Sequence, residues 1–231
     1  MVRKMKKLVI YIITLAVVFF HAGCKYAPLV AIFGTPSYNE MKIPAEYNLT
    51  EHIDKKILVL VSQPAWLGAQ VNLPYYLTRA INTDLNVKIK IPGGSLVSYS
   101  ELAEFRSNQP NFSQFSPKEV GGAFDANMVL LVTVENYELK EMADTKYYMG
   151  FLDVRAALID TATGGRLWPE STPSKSIKVG FEVERRGQEV AVARLAAACS
   201  FCLVRSFYDC PKAKYRISED KSTIAGKEWG K

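Results

Sequence analysis

The first 24 residues constrain this chain more than any later stretch. Residues 1–7 carry Arg3, Lys4, Lys6 and Lys7. Residues 8–20 are an apolar run of 13 in which only Tyr11 and Thr14 bear polar atoms, and His21, Ala22, Gly23 and Cys24 come next. A basic start, a short apolar stretch and small residues before a cut form the layout of a cleavable secretion leader. The apolar run is well short of the roughly 20 residues that span a bilayer as a helix. The alternative is an uncleaved anchor helix. Either way, the rest of the chain is expected to fold outside the cytoplasm, and residues 1–23 are left out of the fold.

The small-small-Cys order of Ala22, Gly23 and Cys24 resembles the lipobox of bacterial lipoproteins, with His21 standing where that family has leucine. The resemblance implies that the Cys24 thiol receives diacylglycerol, that the leader is cut before it, and that the new amino group is acylated. Several acyl chains, palmitate among them, hold a protein stably at a membrane where a single chain binds only marginally. The expected address is the cell envelope, facing the periplasm or the exterior. Loss of the leader also removes four cations, so the basic excess falls from the full chain's +6 to about two. Charge therefore makes no case for a nucleic-acid partner.

With 48% hydrophobic and 23% charged residues the chain can bury a sizeable core. Pro28, Pro36 and Pro44 interrupt regular structure in 24–55, which reads as a tether, although Leu29, Val30, Ile32 and Phe33 make part of it apolar. A single domain is expected over 56–210, and the polar, aperiodic stretch 211–231 reads as a disordered tail.

Within the domain, the continuous apolar run 57–61 reads as a buried strand. Leu73, Leu77, Ile81 and Leu85 recur every four residues, with Ala80 beside them and Asn72 as cap, and predict a helix. Val87, Ile89 and Ile91 alternate with Lys88 and Lys90, which predicts a half-exposed strand stopped at Pro92-Gly93-Gly94. Ser98 with Glu101, and Ser116-Pro117 with Glu119, have capping-box spacing and start two short helices. A buried strand is expected over 128–134. Strands 148–160 and 166–168 flank Thr161-Ala162-Thr163-Gly164-Gly165, a hairpin turn whose glycines supply positive φ. Residues 176–184 alternate as a further strand, and 189–208 form a long Ala-rich helix. The fold class is α/β, with a mixed sheet of about five strands and helices packed on it, in the order β-α-β-α-α-β-β-β-α.

Two stretches resemble a known group of envelope proteins. Phe124-Asp125-Ala126-Asn127-Met128-Val129-Leu130 is similar to a helix-to-strand "GADYVL" pattern, with Asp125 and Asn127 replacing Gly and Asp. The stretch from Leu158 through Asp160, Thr163, Gly164 and Gly165 to Trp168 is similar to a "D-x-x-T-G-x-x-x-W" hairpin. Both belong to the small domain of the curli-secretion lipoprotein, the lipoprotein activators of penicillin-binding proteins and the amino-terminal domain of TolB. The resemblance, over roughly 55–208, implies a domain that acts by binding envelope proteins or by self-assembly. It carries over no site residue and no cofactor.

The residues themselves offer little chemistry. Beyond the leader the only histidine is His52, in the expected tether, so a nucleophile–histidine system lacks a base in the core. No Cys, His and carboxylate cluster suggests a metal. Cys199-Ser200-Phe201-Cys202 is a CxxC in mid-helix, away from the helix start that activates redox thiols. It reads as core packing, as one half of a disulfide with Cys210, or as a catalytic thiol pair. Asp160 reads as a turn cap rather than a ligand. The aromatic residues Trp66, Tyr75, Tyr76, Tyr137, Tyr147 and Tyr148 suit an interface or the rim of a small core.

The last helix is apolar nearly all round. Its only charges between 190 and 207 are Arg194 and Arg205, which eleven residues of a 3.6-residue period bring to within about 20° of each other. The expectation is a second packing surface on this helix, with Arg194, Ala197, Ala198, Phe201 and Arg205 as a candidate interface. The alternative is a helix sandwiched within its own domain. Two function classes fit these residues. One is a non-enzymatic, membrane-anchored binding or assembly factor whose partner is an envelope protein or a second copy. The other is a periplasmic thiol-active or hydrolytic enzyme.

Overall fold

The computed structural model describes residues 41–68, 71–142, 147–183 and 187–211. The expected leader, Cys24, the first part of the expected tether and the expected tail from 212 lie outside the described residues. In chain order the elements are β1 (Lys42–Ile43), β2 (Ile57–Ser62), α1 (Ala65–Gly68), α2 (Leu73–Asp84), α3 (Tyr99–Ser107) and α4 (Pro117–Ala123), followed by β3 (Met128–Met142), β4 (Tyr147–Asp160), β5 (Arg166–Trp168), β6 (Lys175–Val183), α5 (Gln188–Val204) and β7 (Cys210–Pro211).

Five strands make one mixed sheet in the order β2-β3-β4-β5, with β6 also paired to β4. β2 runs parallel to β3, from Ile57 opposite Met128 to Ser62 opposite Thr133, and the other pairs are antiparallel. The period of two along a strand decides the layering. Ile57, Val59 and Val61 enter a large core with Leu73, Leu77 and Ile81 of α2 and Leu195, Cys199 and Leu203 of α5. Leu58 and Leu60 point the other way, into a smaller core with Val97, Leu102, Val120 and Val129. Phe105, Phe112, Phe115 and Phe124 lie over that smaller core, with ring centroids 5.2 to 6.3 Å apart. A strand buried on both faces must be apolar throughout, which is why the run 57–61 does not alternate.

The caps form as the spacing predicts. Asn72 accepts from the Tyr75 backbone N–H. Ser98 and Ser116 each complete a reciprocal capping box, with Glu101 and Glu119 respectively. The hairpin turn forms as well, but only Gly164 takes a positive φ, at 76°.

Three expectations change. First, 87–91 is not a strand: the helix continues from α2 into a π-helical turn, Leu85–Ile89, closed by Lys90 at φ 72°. The four-residue series Leu77, Ile81, Leu85 runs on to Ile89, and this stripe on the core outweighs the local alternation, leaving Val87 exposed. Second, β3 does not stop at Val134 but reaches Met142. A bulge between Val134 and Asn136 shifts the inward parity, so that Val132 and Val134 are followed by Tyr137. Third, the tether does not extend to residue 55. β1 pairs with β7, Leu49 is fully buried, the Glu46 and Tyr47 N–H groups donate to the Ser206 carbonyl, and the Trp168 Nε1–H donates to Glu46 at 2.9 Å. The segment 42–55 is part of the domain: Glu46 binds Trp168, which meets Phe207 edge to face at 4.8 Å, and Leu49 joins the same large core.

Candidate functional site

The long helix α5 is enclosed on two sides. It packs on β4 and β6 through one face and along α2 through another, so α2 is what meets its second apolar side. The Ser200 hydroxyl, fully buried, donates to Asp84 of α2 at 2.6 Å and ties the two helices where both are otherwise apolar. The stretch Gln188–Phe207 has the length and composition of a membrane span but is 67% buried inside the domain, as a core helix is. The outward stripe is narrow. Ala193 and Ala197 are exposed, and Arg194, Phe201 and Arg205 are half-buried. Ala198 is only 2% exposed and faces inward, so it leaves the candidate interface. The reason is helical phase: Ala198 lies three and four residues from Leu195 and Cys202, both on the core face.

The CxxC thiols are interior. Cys199 is 0% exposed, Cys202 6% and Cys210 0%. Cys199 and Cys210 are not in disulfides. Burial, with Cys202 and Asp153 nearby as lesser causes, pushes the Cys199 thiol well above its ordinary range. A thiol held protonated is a poor nucleophile. His52 stacks on Tyr47, with centroids 5.7 Å apart. The two border a cleft of about 500 Å³ together with Lys55, Asp125, Asp160 and Thr161. In that cleft Asp160 is engaged by the turn: it accepts from the Thr163 hydroxyl at 2.6 Å and from the Thr163 N–H at 3.0 Å, bonds that hold its carboxyl below the usual range. Among the described residues no three Cys, His or carboxylate side chains gather as a metal site would need.

The aromatic residues separate into two kinds. Tyr137 is buried, and burial, with Tyr76 second, pushes its hydroxyl up to about 12. Tyr148 packs against the large core. Trp66 is 60% exposed, and the side chains of Met142 and Met149 are exposed on β3 and β4.

A second cleft has no counterpart among the sequence expectations. It is a groove of about 520 Å³ between α2 and the segment 93–100. Tyr75, Thr78, Arg79 and Asn82 stand on one stripe of α2, at the i, i+3, i+4 and i+7 positions, and Ser98 and Tyr99 close the other wall. The Tyr75 and Tyr99 rings meet edge to face at 5.5 Å. The Tyr75 hydroxyl accepts from Arg79 Nη1 at 3.1 Å, and the Asn82 amide donates to the Val97 carbonyl at 2.9 Å. Thr78 Oγ1 and Asn82 Oδ1 are buried without a hydrogen-bond partner. Of these residues the sequence singles out only Tyr75, as an interface or rim aromatic, and it gives Thr78, Arg79 and Asn82 no signal of their own. That 93–100 lies over them depends on a bridge from Leu96 to Ile57 on β2, and no local pattern announces it.

Neither a protein-family model nor a curated protein matches the sequence. Solved structures similar to the chain include lipoprotein GNA1162 from Neisseria meningitidis, at 17% identity, covering 66% of this chain and 99% of that one with a TM-score of 0.39. A PelC dodecamer from Paraburkholderia phytofirmans is similar at 10% identity, covering 67% and 89%, with a TM-score of 0.37. The LpoB C-terminal domain from Salmonella enterica is similar at 14% identity, covering 62% and 98%, with a TM-score of 0.35. Lipoproteins recur among the similar structures. No function is transferred from them.

Proposed function

We propose that the chain is a lipid-anchored protein of the bacterial cell envelope, held by acyl chains on Cys24, and that its domain is a non-enzymatic binding or assembly factor. The observation that carries this reading is the order of basic, apolar and small residues ending at Cys24. Its partner is an envelope protein or a second copy of the chain. The reading is supported over thiol chemistry by the burial of Cys199, which removes the one motif with redox potential from contact with any substrate.

Among the described residues, the surfaces offered to a partner include the Arg194, Ala197, Phe201 and Arg205 stripe of α5, the exposed Trp66, and Met142 and Met149 of the β3–β4 hairpin. Exposed methionines adapt to varied partner shapes. Crosslinking in cells, followed by mass spectrometry, tests the reading. The expected products join this chain to envelope proteins or to itself, and they are lost when Ala197 is changed to Glu or Met149 to Asp. Crosslinks exclusively to cytoplasmic proteins would overturn it.

A further inference from the structure

We infer that copies of this chain join head to tail by strand pairing, with the outer edge of β6 in one copy against the far half of β3 in the next. The sheet leaves a long edge open on each flank. β2 accompanies β3 only from Met128 to Thr133, while β3 runs on to Met142. On the other flank β6 pairs with β4 alone. Among the described residues, no backbone hydrogen bond from outside the sheet reaches 135–142 or 175–183. An open edge carries unpaired N–H and C=O groups and is a template for a further strand. The two edges suit each other in direction: β3 and β6 both run antiparallel to β4, hence parallel to one another, so β6 beside the next copy's β3 continues the sheet without reversing either chain. They also suit each other in facing. Tyr137, Leu139, Ile177 and Val179 lie on the large-core side, and Glu138 and Lys178 are exposed on the opposite side.

Charge selects the partner edge. The open part of β3 carries Glu135, Glu138 and Glu141 against Lys140, whereas β6 carries Lys175 and Lys178 against Glu182. Two-fold pairing of like edges sets glutamates against glutamates or lysines against lysines, which destabilises neighbouring strands. Head-to-tail pairing sets lysine against glutamate. Within one copy Lys178 meets Asp153 at 3.2 Å and Glu138 meets Lys140 at 2.8 Å. Both pairs lie at the surface, where such contacts contribute little, so exchanging them for contacts between copies costs little. Lysines on β6 and the bulge at Val134–Asn136 are devices that keep an edge from pairing indiscriminately. The strand they still admit is an acidic one, and this chain supplies it. A contact between two different edges does not stop at a dimer; it closes into a ring or grows as a filament.

The inference takes the second-copy form of the binding role proposed above, and its test separates the two: a chain that stays monomeric when purified yet crosslinks to other envelope proteins in cells overturns the self-assembly and leaves the binding role standing. The measurement is sedimentation velocity of the full chain in detergent across a concentration series. Species larger than a dimer are expected. Lys178→Glu and Glu138→Lys, both at exposed positions and expected to leave the Tm unchanged, are each expected to weaken association about tenfold or more by opposing like charges. The two substitutions together restore opposite charges across the contact and are expected to recover the association. A monomer at every concentration, an assembly that stops at two copies, single variants that associate like the wild type, or a double variant that fails to recover would each overturn the pairing of β6 with β3.

Discussion

Gly164 and Asp125 both hold a positive φ, at a turn and at a helix end. Gly164 holds φ 76° in the β4–β5 turn, where its N–H donates to the Asp160 carbonyl at 2.8 Å. A β-branched side chain is a costly outlier there, so Gly164→Val is expected to lower stability by about 1–3 kcal/mol, read from chemical denaturation. An unchanged midpoint would show that the turn tolerates a side chain. Asp125, at φ 50°, occupies the left-handed position that closes α4, just before the Ala126 N–H donates to the Gly121 carbonyl. Glycine adopts this conformation without a Cβ penalty, so Asp125→Gly is expected to raise stability by about 0.5–1 kcal/mol in the same assay. A loss would show that the Asp125 side chain contributes more than its backbone strain costs. The turn and the helix end are both legible in the sequence, because Gly, Asp and Thr at those offsets have local reasons to be there. The orphaned atoms of Thr78 and Asn82 are not, since a polar helix stripe looks the same whether water or another segment covers it.

Among the elements, those with signals at their own ends are the ones the sequence predicts. Ser98 with Glu101 and Ser116 with Glu119 form as spaced, and hydrogen bonds from each serine hold the two glutamates below the ordinary value of 4.5. A depressed folded-state pKa contributes stability above the unfolded value, and that contribution is lost as pH falls through the folded value. The Tm is therefore expected to decline as pH drops below about 4.5, with Asp160 adding to the same limb. Changing Glu101 and Glu119 to Gln keeps the caps while removing the titration, and is expected to flatten the decline; an unaltered pH profile would exclude these groups as its source. The elements that depart from expectation are those whose period is set by distant packing. The π-helical turn at 85–89 extends a core stripe through an alternating sequence, and the Val134–Asn136 bulge hides the second half of β3. For α5, apolarity all round is legible, but its second neighbour is not. Ser200→Ala cuts the buried bond from α5 to Asp84 on α2 and is expected to destabilise the domain by about 1–2 kcal/mol, measured by urea midpoint. A neutral result would show that apolar packing alone aligns the two helices.

At the scale of the whole molecule, the mixed sheet with its two cores presents surfaces and a polar groove, while Cys199, Cys202 and Cys210 lie inside. The segment from Lys42 enters beside β7, pinned by Glu46 to Trp168 and to Lys175 at 2.8 Å, so the domain begins about 18 residues after Cys24. The lipid attachment proposed at Cys24 gives this arrangement its meaning, because it sets which compartment and which partners the surfaces meet. Metabolic labelling with palmitate in cells producing the wild-type chain or Cys24→Ser, with membrane fractionation, tests it directly. A lipid anchor at Cys24 predicts a labelled, membrane-retained wild type and an unlabelled mutant that accumulates as a precursor or in the soluble fraction; equal labelling and equal membrane retention of the two would contradict it.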